Sequence, residues 1–285
     1  ALGYVAEAGK VGEALGKSCV AAGVALRHQA RVMGCEAAAD RMLLQCVTQQ
    51  GDETIAAQLV AWAEGAVSGG HEIVRRDYGQ QAIVASVQAR EPADGTAYER
   101  FTASGPVALL PQGDRYALVW TVPAADCAAL MALDDGAFLA RLGGLFSGRL
   151  DFTAIGGRAA FPLGLRYRET PVAERAVWLG NAAQTLHPVA GQGFNLALRD
   201  VTQLARLLQE NPSDCGSAAL LARHAAARQL DRRGTIGFTD GLVRLFGLRD
   251  AFSGHARGAG LLALDLLPAA RRFLARRMIF GARAW

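Results

Sequence analysis

Trp178-Leu179-Gly180-Asn181-Ala182-Ala183-Gln184-Thr185-Leu186-His187-Pro188-Val189-Ala190-Gly191-Gln192-Gly193-Phe194-Asn195 is the most informative stretch of the chain. Ala176 to Leu179 is a short apolar run of the kind a buried strand shows. Gly180 to Gln192 then reads as a loop. Beyond it Phe194, Ala197, Leu198, Val201, Leu204, Ala205 and Leu208 recur at helical spacing and form one apolar face. Two glycines flank Gln192 where this helix begins, so a ligand can approach the backbone closely. The first amides of a helix lack internal partners and carry partial positive charge. Such a place suits an anion or an electron-rich carbonyl edge. The same residues also describe a plain glycine-rich turn between strand and helix, since Gly-x-Gly alone is a weak signal.

Working outward, Lys10 to Ala22 reads as a helix with Gly23 at its C-terminal cap. Val24 to His28 and Arg41 to Thr48 read as strands, with a turn at Gln50 to Glu53. Leu59 to Ala63 resembles a buried parallel strand and ends at Glu64-Gly65. From Gln81 to Arg168 the period shifts toward two: Ile83, Ala85 and Val87 alternate with Val84, Ser86 and Gln88. Tyr98 to Thr102, Val107 to Leu110, Tyr116 to Val122 and Phe152 to Phe161 are further strands. Asp94-Gly95 and Gln112-Gly113-Asp114 mark turns, and a helical stretch runs from Ala124 to Phe146. The remainder is helical and Arg-rich, with breaks at Asn211-Pro212 and Pro268. The expected fold is α/β (α+β), with a mostly antiparallel sheet inserted into an α/β domain.

Hydrophobic residues make up 51% of the 285 and charged residues 20%, which excludes a disordered chain. No apolar run is long enough to cross a bilayer, and no secretory signal opens the sequence. The five cysteines include no C-x-x-C pair, and the five histidines are scattered. A disulfide framework and a metal site are therefore not expected, and a reducing compartment is. The net charge of +4 suits nucleic acid or an anionic membrane, and no nucleic-acid motif or aromatic interleaving supports the former.

The loop from Gly180-Asn181 through His187-Pro188, Gly191-Gln192-Gly193, Asn195 and Arg199-Asp200 resembles the second flavin motif of aromatic hydroxylases related to p-hydroxybenzoate hydroxylase. The similarity is closest to the 2-polyprenyl-6-methoxyphenol hydroxylases of ubiquinone synthesis. Tyr98-Glu99-Arg100-Phe101-Thr102, Gly105 to Pro111, Leu118-Val119-Trp120, Phe161-Pro162-Leu163 and Gly237 to Val243 resemble the same subfamily. The resemblance implies an FAD-dependent monooxygenase that uses NAD(P)H and O2 to hydroxylate the ring of a polyprenyl phenol. It implies that Gly180, Asn181, Pro188, Gly191, Gln192, Gly193, Phe194 and Asn195 contact FAD, with Asn181 on the ribityl chain. The negative N1–C2=O edge of a reduced flavin matches the electron-rich ligand that the helix entry suits. Leu109, Trp120 and Phe161 are the candidate substrate residues, and His187 is the candidate base.

Two departures from the family pattern shape the expectation. The middle motif, Ala-Asp-Gly in the family, is Ala63-Glu64-Gly65 here, so Glu64 and Gly65 would meet the cofactor with a longer acid. The 285 residues contain no G-x-G-x-x-G, the family's grip on the FAD pyrophosphate. The expected organisation is an incomplete Rossmann-like FAD/NAD(P)-binding domain with four regions. Residues 1–70 form the end of the first FAD segment, 71–168 the substrate sheet, 169–210 the second FAD segment, and 211–285 a C-terminal helical region. An uncovered apolar surface and impaired FAD binding by this chain alone are expected. The alternative is a non-catalytic fold remnant serving as an interaction subunit of a ubiquinone-synthesis assembly, beside other proteins of that pathway.

From Leu262 to Trp285, Arg271, Arg272, Arg276, Arg277 and Arg283 face a single acid, Asp265, while Leu266, Leu267, Phe273, Leu274 and Met278 keep helical spacing. This pattern suits an anionic membrane surface and predicts a cytoplasmic protein held at the periphery of the inner membrane.

Overall fold

The computed structural model describes residues 3–67, 72–211, 213–247 and 251–281. Pro212, Arg283 and Trp285, singled out above, lie outside them. In chain order the elements are α1 (Ala8–Ala21), β1 (Arg31–Ala37), β2 (Met42–Thr48), β3 (Gly51–Ala57), β4 (Val60–Trp62), β5 (Ile73–Ala89), β6 (Tyr98–Thr102), β7 (Gly105–Gln112), β8 (Arg115–Pro123), α2 (Ala124–Met131), α3 (Asp135–Leu145), β9 (Phe152–Ile155), β10 (Ala159–Arg168), β11 (Val172–Ala173), β12 (Ala176–Trp178), β13 (Gln184–Thr185), α4 (Gln192–Glu210), α5 (Ala218–Gly247), α6 (Ala251–Leu266) and α7 (Pro268–Phe280).

The largest sheet is antiparallel, in the order β13-β10-β5-β8-β7-β6, with β9 paired to the end of β5. Side-chain parity decides its two faces, because residues directly opposite on antiparallel strands point the same way. Val107 lies opposite Trp120, which lies opposite Ile83. This row, with Leu109, Leu118 and Val87, packs on Cys127 of α2 and on Phe138 and Leu142 of α3. Each such fully buried apolar side chain contributes about 1.5–3 kcal/mol relative to exposure. Asp134 caps α3 by accepting from the Ala137 amide at 2.7 Å. The expected single helix from Ala124 to Phe146 is thus two, divided just before this cap. The expected strand from Phe152 to Phe161 is also two, because its halves pair with different parts of β5.

A second, small sheet has the order β11-β12-β4, with β4 and β12 parallel and Trp62 opposite Trp178. The parallel strand expected at Leu59 to Ala63 is found there, but only Val60 of it is buried, so the expectation of a buried strand is corrected. A third sheet, β1-β2-β3, is an antiparallel meander. Here the sequence reading needs correction. Val24 to His28 is not a strand; Val24 and Leu26 are exposed in a connection after α1, having no partner strand. Beta1 is a strand that side-chain pattern does not show: nearly every residue is exposed, and backbone pairing with β2 holds it. The turn precedes Gly51, and Gly51–Ala57 is itself strand.

The apolar face read for α4 is also corrected. Leu196, Leu204 and Leu207 are buried together with Gln192 and Asp200. Leu204 and Leu207 pack on Val177 and Leu179 of the small sheet and on Leu220 and Leu221 of α5. Phe194, Leu198 and Val201 form an exposed stripe on another side. The helix carries apolar residues on two sides, and buried polar partners decide which one turns inward. The break expected at Pro268 is present, since α6 and α7 meet at Leu267-Pro268 with Pro268 in the first turn of α7.

Candidate functional site

Beta4 and β12 run parallel, so the segments that follow them leave from the same edge of the small sheet. Glu64-Gly65 follows β4, and Gly180-Asn181 follows β12. The Leu179 amide donates to the Trp62 carbonyl at 2.9 Å, carrying the ladder to that edge. In open α/β sheets, ligands bind beyond the carboxyl ends of parallel strands. Arg168 stacks 4.4 Å from the Trp178 ring centroid and donates to the Ala182 carbonyl at 3.3 Å. Burial lowers its pKa, opposed by the nearby Glu64 carboxylate. The two expected cofactor segments are therefore brought together.

The loop closes through two short 3-10 turns, Gly180–Ala182 and Pro188–Ala190. Gly191 ends the second in the left-handed region at φ 58° and is also the N-cap of α4. A side chain there would strain the backbone. No side chain caps the α4 N-terminus, and no acid lies in its first turn. A methyl group added at Gly65, Gly191 or Gly193 would meet nothing within 4 Å. Pro188, Gly191 and Phe194 are exposed, Phe194 at 64%, while Gly193 and Asn195 are half-buried. Asn181 is exposed, and its carbonyl accepts from the Thr185 hydroxyl at 3.4 Å. Gln192 differs, its side chain being buried and engaged within the protein. Uncapped amides beside open glycines fit a flat ring with an electron-rich edge, which is the requirement a flavin sets.

His187 sits beneath this surface, 2% exposed. Its Nδ1 accepts from the Val189 amide at 3.1 Å and so caps the turn. Burial pushes its pKa down to about 4. Tyr78 meets the ring edge-on at 5.6 Å. Because Nδ1 is occupied by an amide donor, the ring is the neutral Nε2–H tautomer.

A buried ionic cluster, largely missed by sequence reading, locks the loop to the helices. Gln184 donates to Asp200 at 2.9 Å and accepts from Arg232 Nε at 2.6 Å. Arg232 also donates to the carbonyls of Arg168, Glu169 and Ala183. Arg228 binds Asp200 and Asp231, each at 2.6 Å, and Arg199 binds Asp231 at 2.7 Å. Burial pushes Arg232 down to about 10. Burial also opposes the Arg228 charge, but its two carboxylates outweigh this and hold its pKa above the usual value. Arg228, Asp231 and Arg232 stand three and four residues apart, so a reading of charged residues on one helix face finds them.

The substrate residues expected from sequence separate. Leu109 (0% exposed) and Trp120 lie on the sheet face packed against α2 and α3, away from the loop, which corrects the expectation that they line a pocket against it. Phe161 lies opposite Ala82, and Ala82 opposite Thr121, so it shares the other face and is 54% exposed. That face carries an apolar cavity of about 370 Å³ roofed by Pro188, Val189 and Gly191 and closed by α5, α6 and α7. Phe101 of β6 stacks on Phe246 of α5 at 3.6 Å along its wall.

Residues 7–236 match the family described as FAD binding domain. The ubiquinone hydroxylase UbiL of Rhodospirillum rubrum is 37% identical over 239 residues, covering 80% of this chain and 56% of that protein. An uncharacterized protein of Synechocystis, slr1300, is 35% identical over 244 residues, covering 82% of this chain and 59% of its own. The chain thus spans somewhat over half the length of these curated relatives. The anhydrotetracycline hydroxylase OxyS of Streptomyces rimosus shares the fold, with a TM-score of 0.69 at 19% identity, over 94% of this chain and 55% of that one. The strand-loop-helix geometry and a match over most of the sequence agree: this chain belongs to the FAD binding domain family.

Proposed function

We propose that the chain carries the ring-holding and substrate-holding parts of an FAD-dependent monooxygenase that hydroxylates a polyprenyl phenol of ubiquinone synthesis. One observation carries the reading: an uncapped helix N-terminus beside open glycines, directly above an apolar cavity. Gly193 would present its main-chain amide to the isoalloxazine edge, the Gly191 amide being engaged by the Pro188 carbonyl at 2.8 Å, with Pro188, Gly191, Gln192, Phe194 and Asn195 around the ring. Gly180 and Asn181 would meet the ribityl chain, and Glu64-Gly65 would approach from the neighbouring strand end. Bound FAD, reduced by NAD(P)H, would supply the activated oxygen.

The chain's own residues orient the ring, exclude water and keep the loop rigid. His187, with Nδ1 engaged and its charge suppressed, positions the loop and is not the base. Phe161 is the expected substrate residue that remains on the cavity side of the sheet. This reading assigns the work to four regions, 1–70, 71–168, 169–210 and 211–285. Leu262, Leu266, Leu267 and Phe273 are exposed on α6 and α7 beside Arg271, Arg272 and Arg276. That surface suits docking to an anionic membrane, while Leu274 and Met278 of α7 line the cavity. No helix among the described residues is long and apolar enough to cross a membrane. The exposed stripe of Phe194, Leu198 and Val201 on α4 supports the second reading, a chain that works as one part of a larger assembly.

Titration of the purified chain with FAD and with FMN, followed by flavin fluorescence, tests the ring site. Weak binding of both is expected. Absence of any interaction with either flavin at millimolar concentration would sink the proposal.

A further inference from the structure

The cavity under Pro188 and Gly191 is lined mostly by apolar side chains, and among the described residues a single ionisable one reaches it. We propose that this residue, Glu99 of β6, is the acid–base group that takes the hydroxyl of a phenolic ligand. The inference rests on the reading that the phenol enters this cavity. Strands β6 to β8 contribute Glu99, Phe101 and Thr121, the loop contributes Pro188, and the helices contribute Phe238 and Leu274. Among the described residues, the Thr121 hydroxyl is the only other polar side-chain group on the lining.

Glu99 differs from the acids of the neighbouring interior. Asp200 and Asp231 are held by Arg228, and Asp240 by Arg76 and Tyr78. Among the described residues Glu99 has no hydrogen-bond or ion-pair partner. The charged groups nearby are directed elsewhere. Arg100 donates to the Ser147 hydroxyl at 3.0 Å, and Arg244 binds Asp240 at 3.1 Å. Arg257 lies over the Phe246 ring, where it lines an adjoining cavity with Asp126. Glu99 keeps accessible surface, yet burial pushes its carboxyl up to about 7. Its place on the lining of the cavity carries the assignment, and the upward direction of the shift accords with it. A carboxyl that titrates near neutrality among apolar walls is suited to proton exchange with a neutral hydroxyl.

The step is a proton transfer. The phenol O–H bond breaks, the Glu99 carboxylate gains the proton, and the oxygen's electron pair moves toward the ring. The ring carbons beside and opposite that oxygen become more nucleophilic, and the proton returns to the oxygen afterward. Nothing is oxidised or reduced in this step.

The test uses 2-geranylphenol and its methyl ether as probes, with binding measured calorimetrically on the chain as it stands. At pH 8 the chain binds the phenol about tenfold more tightly than the ether, the size of one charge-assisted hydrogen bond. The preference shrinks at pH 6, where Glu99 is protonated. Glu99→Leu loses the preference at both pH values, and Glu99→Gln loses its pH dependence. Because ionised Glu99 opposes folding above pH 7, the melting temperature of neither variant falls at pH 8. Equal preference in the native chain and Glu99→Leu, with both probes bound, overturns the role of Glu99 and leaves the cavity reading intact. Failure of both probes to bind the native chain removes both, and tighter binding of the ether than of the phenol at pH 8 overturns the role of Glu99.

Discussion

At the scale of single residues, His187 gives the clearest test of how the loop is held. An unfolded histidine takes a proton near 6.5, whereas the folded one does so near 4. Its contribution is therefore present above pH 6.5 and is lost as pH falls through that interval toward 4. The gap is worth about 3 kcal/mol at most. His187→Asn keeps an acceptor for the Val189 amide but cannot titrate. Urea unfolding at pH 7.5 and 4.5 should show a smaller acid loss in the variant than in the native chain. Identical losses would contradict a buried neutral imidazole. The residue was visible in the sequence as a histidine before proline, and its Nδ1 partner was not, because that bond depends on the turn the loop makes.

Elements raise a different question, which is what fixes α4, α5 and α7 against the loop. Arg228 joins Asp200 on α4 to Asp231 on α5, and Arg277 of α7 approaches Asp231 at 3.5 Å. Arg228→Met leaves two buried carboxylates short of a partner and should cost about 3–5 kcal/mol in unfolding free energy. A loss under 1 kcal/mol would show that the cluster is not holding the helices. On the outer side of α7, reversing Arg271, Arg272 and Arg276 to glutamate should abolish sedimentation with anionic liposomes while leaving the melting temperature nearly unchanged. Equal partitioning of variant and native chain would remove the membrane surface from the account. The basic residues of this segment were legible in the sequence. So was its division at Pro268; the turning of Leu274 and Met278 toward the cavity was not.

For the whole molecule, flavin affinity measures how much of the cofactor this chain grips. The contacts proposed here reach the ring and the ribityl chain, and no G-x-G-x-x-G is present to take the pyrophosphate. FAD should therefore bind the chain alone no more than about threefold more tightly than FMN, as read by fluorescence titration. Tight stoichiometric uptake of FAD would show that the adenine half finds a site outside the proposed contacts. Sequence by itself determined the strand-loop-helix order around Gly191, the parallel pairing expected at Leu59 to Ala63, and most strands of the large sheet. Those features rest on local glycine placement and on periods of two and 3.6, which side chains record directly. Tertiary structure decided that Leu109 and Trp120 face α2 and α3, that α4 buries Leu196 and Asp200 rather than Phe194 and Leu198, and that Glu99 stands without a partner in an apolar cavity. Each of these depends on which of two possible faces meets another element. That choice is made by partners distant in sequence, so no local pattern carries it.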